Sequence, residues 1–284
     1  MTPFRALACS LGMVVAATGA MPATQQPVFR TSLDVVRVDA LVTDGSKPVN
    51  GLRAEDFELR DNGVIQKVSI ASTGDLPVNV VLVLDASESV LGARLTQLQA
   101  AGRALLDGLS GSDMAGLVAF DDLVHVPSLL TNDLSAVRRG IDGIAPRGGT
   151  ALHDAAHTGI VLGDVGSGRS LVVLFSDGTD TSSFLPATAA IDAARRGDVV
   201  IYAVLSGGGG RIARTLADET GGGVLTADAP DQLPGQFARV LSEFRQRYLL
   251  GYVPTGVARG GWHRIDVRVK GRALRVKARS GYQS

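Results

Sequence analysis

The sequence predicts an α/β fold in which a doubly wound, mostly parallel sheet carries helices on both faces, accompanied by a small all-β unit. Between residues 78 and 247, apolar runs of strand length alternate with longer stretches of helical length, which is typical of parallel sheets. The two flanks instead alternate apolar and polar residues with a period of two, which indicates antiparallel strands. With 284 residues and 45% hydrophobic content, the chain can bury the core of one medium domain and a small one.

The first twenty residues have the composition of a secretory signal. Arg5 precedes an apolar run at residues 6–17, and small residues follow at 18–20. We expect residues 1–20 to be removed and the mature protein to be exported to the periplasm or the extracellular medium. The apolar run is short for a membrane span, and a retained anchor is the alternative. Cys9 is the only cysteine, so the mature chain is expected to form no disulfide and no cysteine metal site.

A small all-β unit is predicted for residues 28–75, after a polar linker at 24–27. Residues 32–42 form the clearest alternating strand. Residues 57–60 and 67–70 flank Asp61-Asn62-Gly63, which is a turn signal for a β-hairpin.

The α/β domain is predicted to cover residues 77–247. Its strands are expected at residues 78–85, 115–120, 171–176, 199–205 and 223–226, with an antiparallel edge at 125–130. Its helices are expected at residues 93–109, 134–144, 151–162, 186–196, 212–220 and 233–247.

The C-terminal flank, residues 248–284, returns to strand-like alternation at 248–252 and 263–276. Four apolar side chains are predicted to face one side of a hairpin turned at residues 270–272; they are Val267, Val269, Leu274 and Val276. Neither flank is large enough to be stable alone, so we expect these strands to pack with the N-terminal β unit.

The charge balance argues against some classes of partner. Lys plus Arg and Asp plus Glu each number 28, so the formal net charge is zero. No overall field attracts nucleic acid or anionic lipid, and neither is expected as a partner.

Two carboxylates follow predicted strands of the parallel sheet. Asp85 ends the apolar run at 79–84, and Asp177 comes two residues after the run at 170–175. The carboxyl ends of strands line the ligand crevice in an open α/β sheet, so we expect both side chains there. Ser87 and Ser89 lie two positions apart in an extended turn and therefore face the same way.

Three short segments together resemble a known motif. They are Asp85-Ala86-Ser87-Glu88-Ser89, Gly148-Gly149-Thr150 and Ser176-Asp177-Gly178. In this order, at strand ends, they resemble the metal-ion-dependent adhesion site (MIDAS) of von Willebrand factor type A (VWFA) domains. The resemblance covers roughly residues 77–247, and the flanks are similar to those of secreted bacterial proteins called VWFA-related.

This resemblance implies a Rossmann-like VWFA fold and a set of metal ligands. The hydroxyls of Ser87, Ser89 and Thr150 would touch the ion directly, and the carboxylates of Asp85 and Asp177 would often act through water. Oxygen ligands favour Mg²⁺, with Mn²⁺ or Ca²⁺ as alternatives. The family also implies a shift of the last helix, residues 233–247, on partner binding.

The function expected from these residues is secreted, non-enzymatic protein binding of the adhesion type. Neutral hydroxyl ligands leave the ion electrophilic, so an Asp or Glu of a protein partner can fill an open coordination position. Two alternatives stay open: a scaffold in which the metal only ties loops together, and a metal-dependent hydrolase. Thr150 has the alternative role of a helix cap, and the two aspartates have that of turn formers.

Two other patterns resemble enzyme motifs incompletely. His153 and His157 stand at i and i+4 on a predicted helix, as in zinc proteases, but Asp154 stands where such an enzyme has glutamate. Residues 207–210 are four glycines between a strand and a helix, without the spacing or the lysine of a phosphate-binding loop. We expect exposed histidines and a flexible connection.

Overall fold

The computed structural model describes residues 35–72, 76–165, 168–206 and 210–284. The predicted signal peptide, the linker, residues 28–34 of the N-terminal β unit and the glycines at 207–209 lie outside the described residues. Residues 34–284 form one compact unit, and the domain boundaries drawn near residues 76 and 247 stay a prediction.

The elements follow one another in three groups. Five strands come first: β1 (Val36–Asp44), β2 (Lys47–Pro48), β3 (Phe57–Asp61), β4 (Val64–Gln66) and β5 (Ile70–Ser72). The α/β region contains β6 (Val78–Asp85), α1 (Ala93–Asp107), β7 (Met114–Phe120), β8 (Val124–Thr131), α2 (Leu134–Asp142), α3 (Leu152–Gly163), β9 (Arg169–Ser176), α4 (Ala187–Arg196), β10 (Val199–Leu205), α5 (Arg211–Glu219), β11 (Gly223–Thr226) and α6 (Leu233–Arg245). Four strands follow: β12 (Tyr248–Tyr252), β13 (Trp262–Val269), β14 (Arg275–Lys277) and β15 (Gly281–Gln283).

The central sheet has the order β11-β10-β9-β6-β7-β8. All neighbours in it are parallel except β8, which runs antiparallel to β7. The chain moves from β6 to β7 on one side and later returns to β9 on the other. The strand order therefore reverses at β6, and the ligand crevice of such a sheet lies at the carboxyl ends of β6 and β9. The predicted doubly wound fold is confirmed.

The helices cover both faces of this sheet because alternate residues of its strands point to opposite sides. Helices α1, α2 and α6 pack on one face against residues such as Leu82, Leu117 and Phe175. Helices α3, α4 and α5 pack on the other face against residues such as Val83 and Val172. Among the helices of the described ranges, none combines the length and the apolar character needed to cross a membrane.

The two flanks pack together into one all-β unit, as predicted, and this unit is an antiparallel β-sandwich. One sheet has the order β14-β1-β12-β5, with β2 paired to β1, and the other has the order β15-β13-β3-β4. A separate apolar core fills the space between them, with Val38 and Tyr248 contributed by the first sheet and Leu59 and Val267 by the second. Because β1 and β3 come from one end of the chain and β12 and β13 from the other, neither flank has a core alone.

Two predicted hairpins differ from the structure. Asn62 and Gly63 form the expected turn, with φ of 46° and 84°, but the strand that pairs with β3 is β4, which precedes the predicted arm at 67–70. The prediction of a C-terminal hairpin turned at 270–272 was wrong, because β13 pairs with β3 and β15 whereas β14 pairs with β1. The two strands belong to opposite sheets. Their apolar side chains face one core from both sides, which produces the same alternation as a hairpin.

Buried arginines connect the sandwich to the α/β region at the amino-terminal edge of the central sheet. Arg247 is fully buried, and its Nη2 donates to the carbonyl oxygens of Asp39, Gly221 and Lys277 at 2.9, 2.7 and 3.1 Å. Arg169, at the start of β9, pairs with the Asp39 carboxylate and stacks on Phe244. Residues of β1, the C-terminal flank and the central sheet therefore meet in one hydrogen-bonded joint.

Candidate metal centre

The two predicted carboxylates lie at the same end of the central sheet. Asp85 is the last residue of β6, and Asp177 directly follows β9. These strands are parallel neighbours, with Leu84 opposite Phe175, so both acids leave the sheet at its carboxyl edge. The prediction of a shared crevice is therefore consistent with the strand pairing.

A chain of hydrogen bonds links the predicted ligands. The Ser87 backbone N–H donates to Asp85 Oδ1 at 2.9 Å, and the Ser87 and Ser89 hydroxyl oxygens lie 2.9 Å apart. The Ser89 hydroxyl donates to Asp177 Oδ1 at 2.8 Å. Ser176 donates its hydroxyl to Asp85 Oδ2 at 2.9 Å, which closes the connection from the other strand. Four of the five predicted residues thus form one contiguous polar cluster.

Thr150 lies beside the same cluster. A Cβ placed on Gly178, the residue after Asp177, would lie 3.8 Å from the Thr150 hydroxyl oxygen. The Thr150 carbonyl accepts hydrogen bonds from the backbone N–H groups of Thr181 and Ser182 at 2.9 and 3.2 Å. Thr150 is therefore fixed through its backbone, and no hydrogen bond of its hydroxyl occurs among the described residues.

The alternative role of Thr150 as a helix cap is not supported. Helix α3 begins at Leu152, and its N-cap is Ala151, which offers no side-chain oxygen. The His153 backbone N–H donates instead to Asp180 Oδ1 at 3.2 Å and to the Ser183 hydroxyl at 3.0 Å. Residues of the loop after β9 therefore satisfy the helix terminus, which leaves the Thr150 hydroxyl available to a ligand.

The glycine pair before Thr150 is required by a close approach of Asp122. Asp122 Oδ1 accepts a hydrogen bond from the Gly149 N–H at 2.7 Å. A Cβ on Gly148 would come within 2.0 Å of Asp122 Oδ2, and Gly148 also has a φ of 60°, where other residues are strained. The structure identifies Asp122, in the turn between β7 and β8, as the group that approaches.

Burial makes the Asp85 carboxyl costly to ionise. Asp85 is fully buried, and this burial raises the pKa of its carboxyl above the ordinary value. Hydrogen bonds from Ser87 and Ser176 oppose the rise, and the nearby charge of Asp177 adds to it. The Asp177 side chain is only 3% exposed. Two acids in such a setting gain from a cation, because desolvated like charges repel.

One cationic side chain already lies at this cluster, and sequence reasoning missed it. Arg94, the second residue of α1, forms an ion pair with Asp177 Oδ2 and donates to the Ser89 carbonyl oxygen at 2.8 Å. A positive charge in the first turn of a helix opposes the helix dipole. That unfavourable position was the signal that could have identified Arg94.

The histidine pair on α3 does not gain a third metal ligand. His153 Nδ1 lies 3.2 Å from the Leu185 carbonyl oxygen and 3.5 Å from Asp180 Oδ2. His263 is buried in the sandwich beside Asp61, and His125 lies beside Asp121. Across the described ranges, no group of three or more His, Cys, Asp or Glu side chains is arranged for a metal ion.

The donor set at the carboxyl edge nevertheless fits a hard divalent cation. Ser87, Ser89 and two carboxylates are linked by hydrogen bonds, the Thr150 hydroxyl lies beside Gly178, and all five groups are oxygen donors. The Thr150 hydroxyl makes no hydrogen bond among the described residues. Arg94 pairs with Asp177 alone, so the two acids together lack full charge compensation. These are the features that a resident Mg²⁺-type ion would satisfy.

The region that contains these residues matches a known family. Residues 80–179 match the model described as von Willebrand factor type A domain. Inter-alpha-trypsin inhibitor heavy chain H2 of Mus musculus is 29% identical over 142 residues, which cover 45% of this chain and 15% of that protein. An uncharacterized protein of Synechocystis is 29% identical over 101 residues, covering 33% of this chain and 24% of the relative. The chain therefore matches only a small part of each relative.

Solved structures share the fold. A von Willebrand factor type A protein from Catenulispora acidiphila aligns with a TM-score of 0.53 at 14% identity, covering 80% of this chain and 72% of that one. Proximal thread matrix protein 1 of the mussel byssus, in a structure with a zinc-occupied MIDAS motif, aligns with a TM-score of 0.52 at 17% identity, covering 63% of this chain and 48% of that one. At these identities the likeness concerns the fold alone.

Proposed function

Because residues 80–179 match the model of the von Willebrand factor type A domain, we propose that the protein is an exported, non-enzymatic module that captures a protein partner through a divalent cation. The ion would be held by Asp85, Ser87, Ser89, Thr150 and Asp177. An Asp or Glu carboxylate of the partner would complete its coordination. Such domains generally mediate protein–protein interaction, and the capture of an acidic group is the specific part of the proposal.

The observation that carries the proposal is the unbroken hydrogen-bonded path between the two acids. Asp85, Ser87, Ser89 and Asp177 are connected by contacts of 2.8–2.9 Å. Residues separated by about ninety positions in sequence are thus already at contact distance. A preorganised oxygen cluster needs little rearrangement to bind an ion, which reduces the entropic cost of binding.

The scaffold alternative is weakened by the hydrogen bonds that already join the loops. The Glu88 N–H donates to the Gly148 carbonyl at 3.2 Å, and the Arg147 N–H donates to the Ala86 carbonyl at 2.9 Å. Asp122 accepts from both Gly149 and the Ser182 hydroxyl. Because these contacts tie all the loops together without an ion, a metal would add little as a structural tie. Binding of a ligand is the better use of the site.

Apolar side chains near the same edge support a role in protein binding. Leu91 follows the Ser89 segment, Leu123 lies next to Asp122, and both are exposed. Phe184 is 90% exposed, although its backbone N–H is fixed by Asp154 Oδ2 at 2.9 Å. A large aromatic side chain held out from an ordered loop is the kind of group that anchors protein interfaces.

Export is part of the proposal and depends on the predicted signal at residues 1–20. Outside the cytoplasm the site would meet Mg²⁺ and Ca²⁺, and the zinc in the mussel protein's motif makes Zn²⁺ a competitor to include. We propose Mg²⁺ as the resident ion, with Mn²⁺ or Ca²⁺ as substitutes, because every donor is oxygen.

Calorimetric titration tests the metal. Mg²⁺, Mn²⁺, Ca²⁺ and Zn²⁺ are titrated into the metal-free mature chain, and one ion per chain is expected. Asp85→Asn keeps the shape of the side chain and its contact with the Ser87 N–H but removes the charge, so Mn²⁺ affinity should fall by more than about tenfold. Asp266→Asn, at an exposed ion pair of the sandwich, is the control. Equal Mn²⁺ binding by wild type and Asp85→Asn would reject the site.

Selection from a displayed random peptide library tests the partner chemistry. The mature chain is immobilised with Mn²⁺, and bound peptides are eluted with EDTA. Enrichment of peptides that contain Asp or Glu is expected from wild type and not from Asp85→Asn. Peptides that lack acidic residues, or that remain bound in EDTA, would contradict capture through the ion.

A further inference from the structure

Arg94 projects from the start of α1 toward the proposed metal ligands. Its guanidinium pairs with Asp177 Oδ2, and one of its nitrogens also donates to the Ser89 carbonyl oxygen at 2.8 Å. The other Asp177 oxygen, Oδ1, accepts the Ser89 hydroxyl. Both carboxylate oxygens of Asp177 are therefore engaged, one by a neutral donor and one by a cation.

The surroundings make this ion pair stronger than an ordinary surface pair. The Asp177 side chain is 3% exposed, and that of Arg94 is 33% exposed. Arg94 Nε is buried and has no hydrogen-bond partner among the described residues. Solvent screening of the pair is reduced by this burial, so the charge of Arg94 acts at close range on the whole oxygen cluster.

A divalent ion at the same cluster would need the negative charge of Asp177, which now pairs with the Arg94 guanidinium. An ion bound to the Ser89 hydroxyl would be attracted by the Asp177 carboxylate, whose Oδ2 accepts a hydrogen bond from the Arg94 guanidinium. Two cations at that distance repel each other, and the carboxylate cannot give full charge to both. Metal binding must therefore weaken the contact between Arg94 and Asp177.

We propose that Arg94 is a resident cation that competes with the divalent ion for Asp177 and thereby sets the metal affinity of the site. This inference rests on the metal site of the proposed function. Arg94 is a positioning residue in this scheme and not a ligand. Its presence compensates the charge of Asp177 when no ion is bound, and it makes the site a weaker metal binder than its oxygen donors alone would be.

Calorimetry with Mn²⁺ on Arg94→Gln tests the competition. The Kd for Mn²⁺ should fall about five- to tenfold relative to wild type, which corresponds to about 1–1.4 kcal/mol. Arg103→Gln is the matched control, because Arg103 lies on the same helix and pairs with Asp142, away from the site. Its Mn²⁺ affinity should equal that of wild type. Circular dichroism in EDTA checks that both variants are folded.

The outcomes separate this inference from the proposed function. If wild type binds Mn²⁺ and Arg94→Gln binds it equally or more weakly, the competition is wrong and the metal site stands. If neither protein binds Mn²⁺, both proposals are overturned. A gain of the same size in Arg103→Gln would mean that net charge alone sets the affinity, and this too would overturn a specific role for Arg94.

Arginine side-chain NMR provides a second test, because the Arg94 guanidinium signals would not respond to Mg²⁺ if the role of Arg94 were purely structural. Addition of diamagnetic Mg²⁺ should shift the Arg94 guanidinium signals, identified by their absence from Arg94→Gln, and should leave those of Arg103 unchanged. Arg94 signals that stay fixed at a Mg²⁺ concentration that saturates wild type would contradict the competition.

Discussion

The two edges of the central sheet both bury charged groups, but they treat them differently. At the amino-terminal edge, Arg247 donates to three backbone carbonyls and lies near the Tyr202 hydroxyl. At the carboxyl edge, Asp85 is fully buried and the Asp177 side chain is 3% exposed, yet apart from Arg94 the donors around them are neutral. At the first edge, four oxygen atoms of the described residues accept hydrogen bonds from Arg247, although its Nε has no partner among them. At the second edge, the two acids share one cation, Arg94.

This difference teaches how to distinguish a structural charge from a functional one. A buried ion with many internal partners stabilises one arrangement, since removing it leaves those partners unsatisfied. A buried ion with incomplete compensation costs stability and is retained for a ligand. The comparison predicts large stability losses at the first edge and small ones at the second, with the reverse order for metal binding.

Arg247→Met should give the largest change in stability. The substitution leaves the carbonyl groups of Asp39, Gly221 and Lys277 without their donor, so the free energy of unfolding should fall by about 3–5 kcal/mol. Urea unfolding is followed by the fluorescence of Trp262, the only tryptophan and part of β13, and by circular dichroism. Arg239→Met, at an exposed position on the preceding helix α6, should change stability by less than about 0.5 kcal/mol. A loss of Mn²⁺ binding in folded Arg247→Met would contradict the division between a structural edge and a metal-binding edge.

Asp113→Asn should have an intermediate effect that depends on pH. Burial opposes ionisation of Asp113, but hydrogen bonds from the Ser110 and Val78 backbones and from Arg245 outweigh it and hold the pKa below its ordinary value of 3.8. At neutral pH the substitution should cost about 1.5–3 kcal/mol. A depressed pKa in the folded state stabilises the protein above the unfolded pKa, and this contribution disappears as pH falls through the folded value.

Urea unfolding at about pH 7 and about pH 3 measures this dependence. The gap in unfolding free energy between wild type and Asp113→Asn should narrow at the lower pH. Asp107→Asn, at a side chain that is 67% exposed and paired with Arg138, should show a small gap at both. A gap for Asp113→Asn that is constant or grows in acid would mean that the carboxylate charge does not stabilise this edge.

Thr150→Val should have the smallest effect on stability. The hydroxyl makes no hydrogen bond within the described part of the chain, and the backbone contacts with Thr181 and Ser182 remain. Stability should change by less than about 0.5 kcal/mol, while Mn²⁺ affinity falls by more than about tenfold. Thr158→Val, on α3, controls for the loss of a hydroxyl. A stability loss of about 1 kcal/mol with unchanged Mn²⁺ affinity would restore the capping role.

Much of the α/β region could be predicted because its periodicity is strong. Strands β6, β10, β11 and β12 have the bounds that the sequence indicated. Most residues of these strands are buried, so local pattern and tertiary environment agree. Helix ends deviate by at most two residues; α6, predicted to reach residue 247, ends at Arg245. Fraying and capping decide such ends more than periodicity does.

The rest required tertiary information. Strands β13 and β14 alternate like a hairpin because both border one core, and alternation does not specify which strand pairs with which. Asp122 supports the Gly148-Gly149 loop from a turn that is 26 residues earlier in the chain. Arg94 contacts Asp177 across 83 positions. Neither contact affects the apolar periodicity of the sequence, so periodicity could not reveal it. The assignment of the metal ligands remains a prediction.

The link between α6 and the sandwich limits how the last helix can move. Only Gln246 and Arg247 separate α6 from β12, and β12 is paired on both sides, by β1 and β5. A piston-like slide of α6 along its axis would have to drag an inner strand out of register or break the Arg247 contacts. The sandwich would therefore slow any conformational change that couples the carboxyl edge to this helix. Disruption of the β12 pairing or of the Arg247 contacts would be the rate-limiting step of that change.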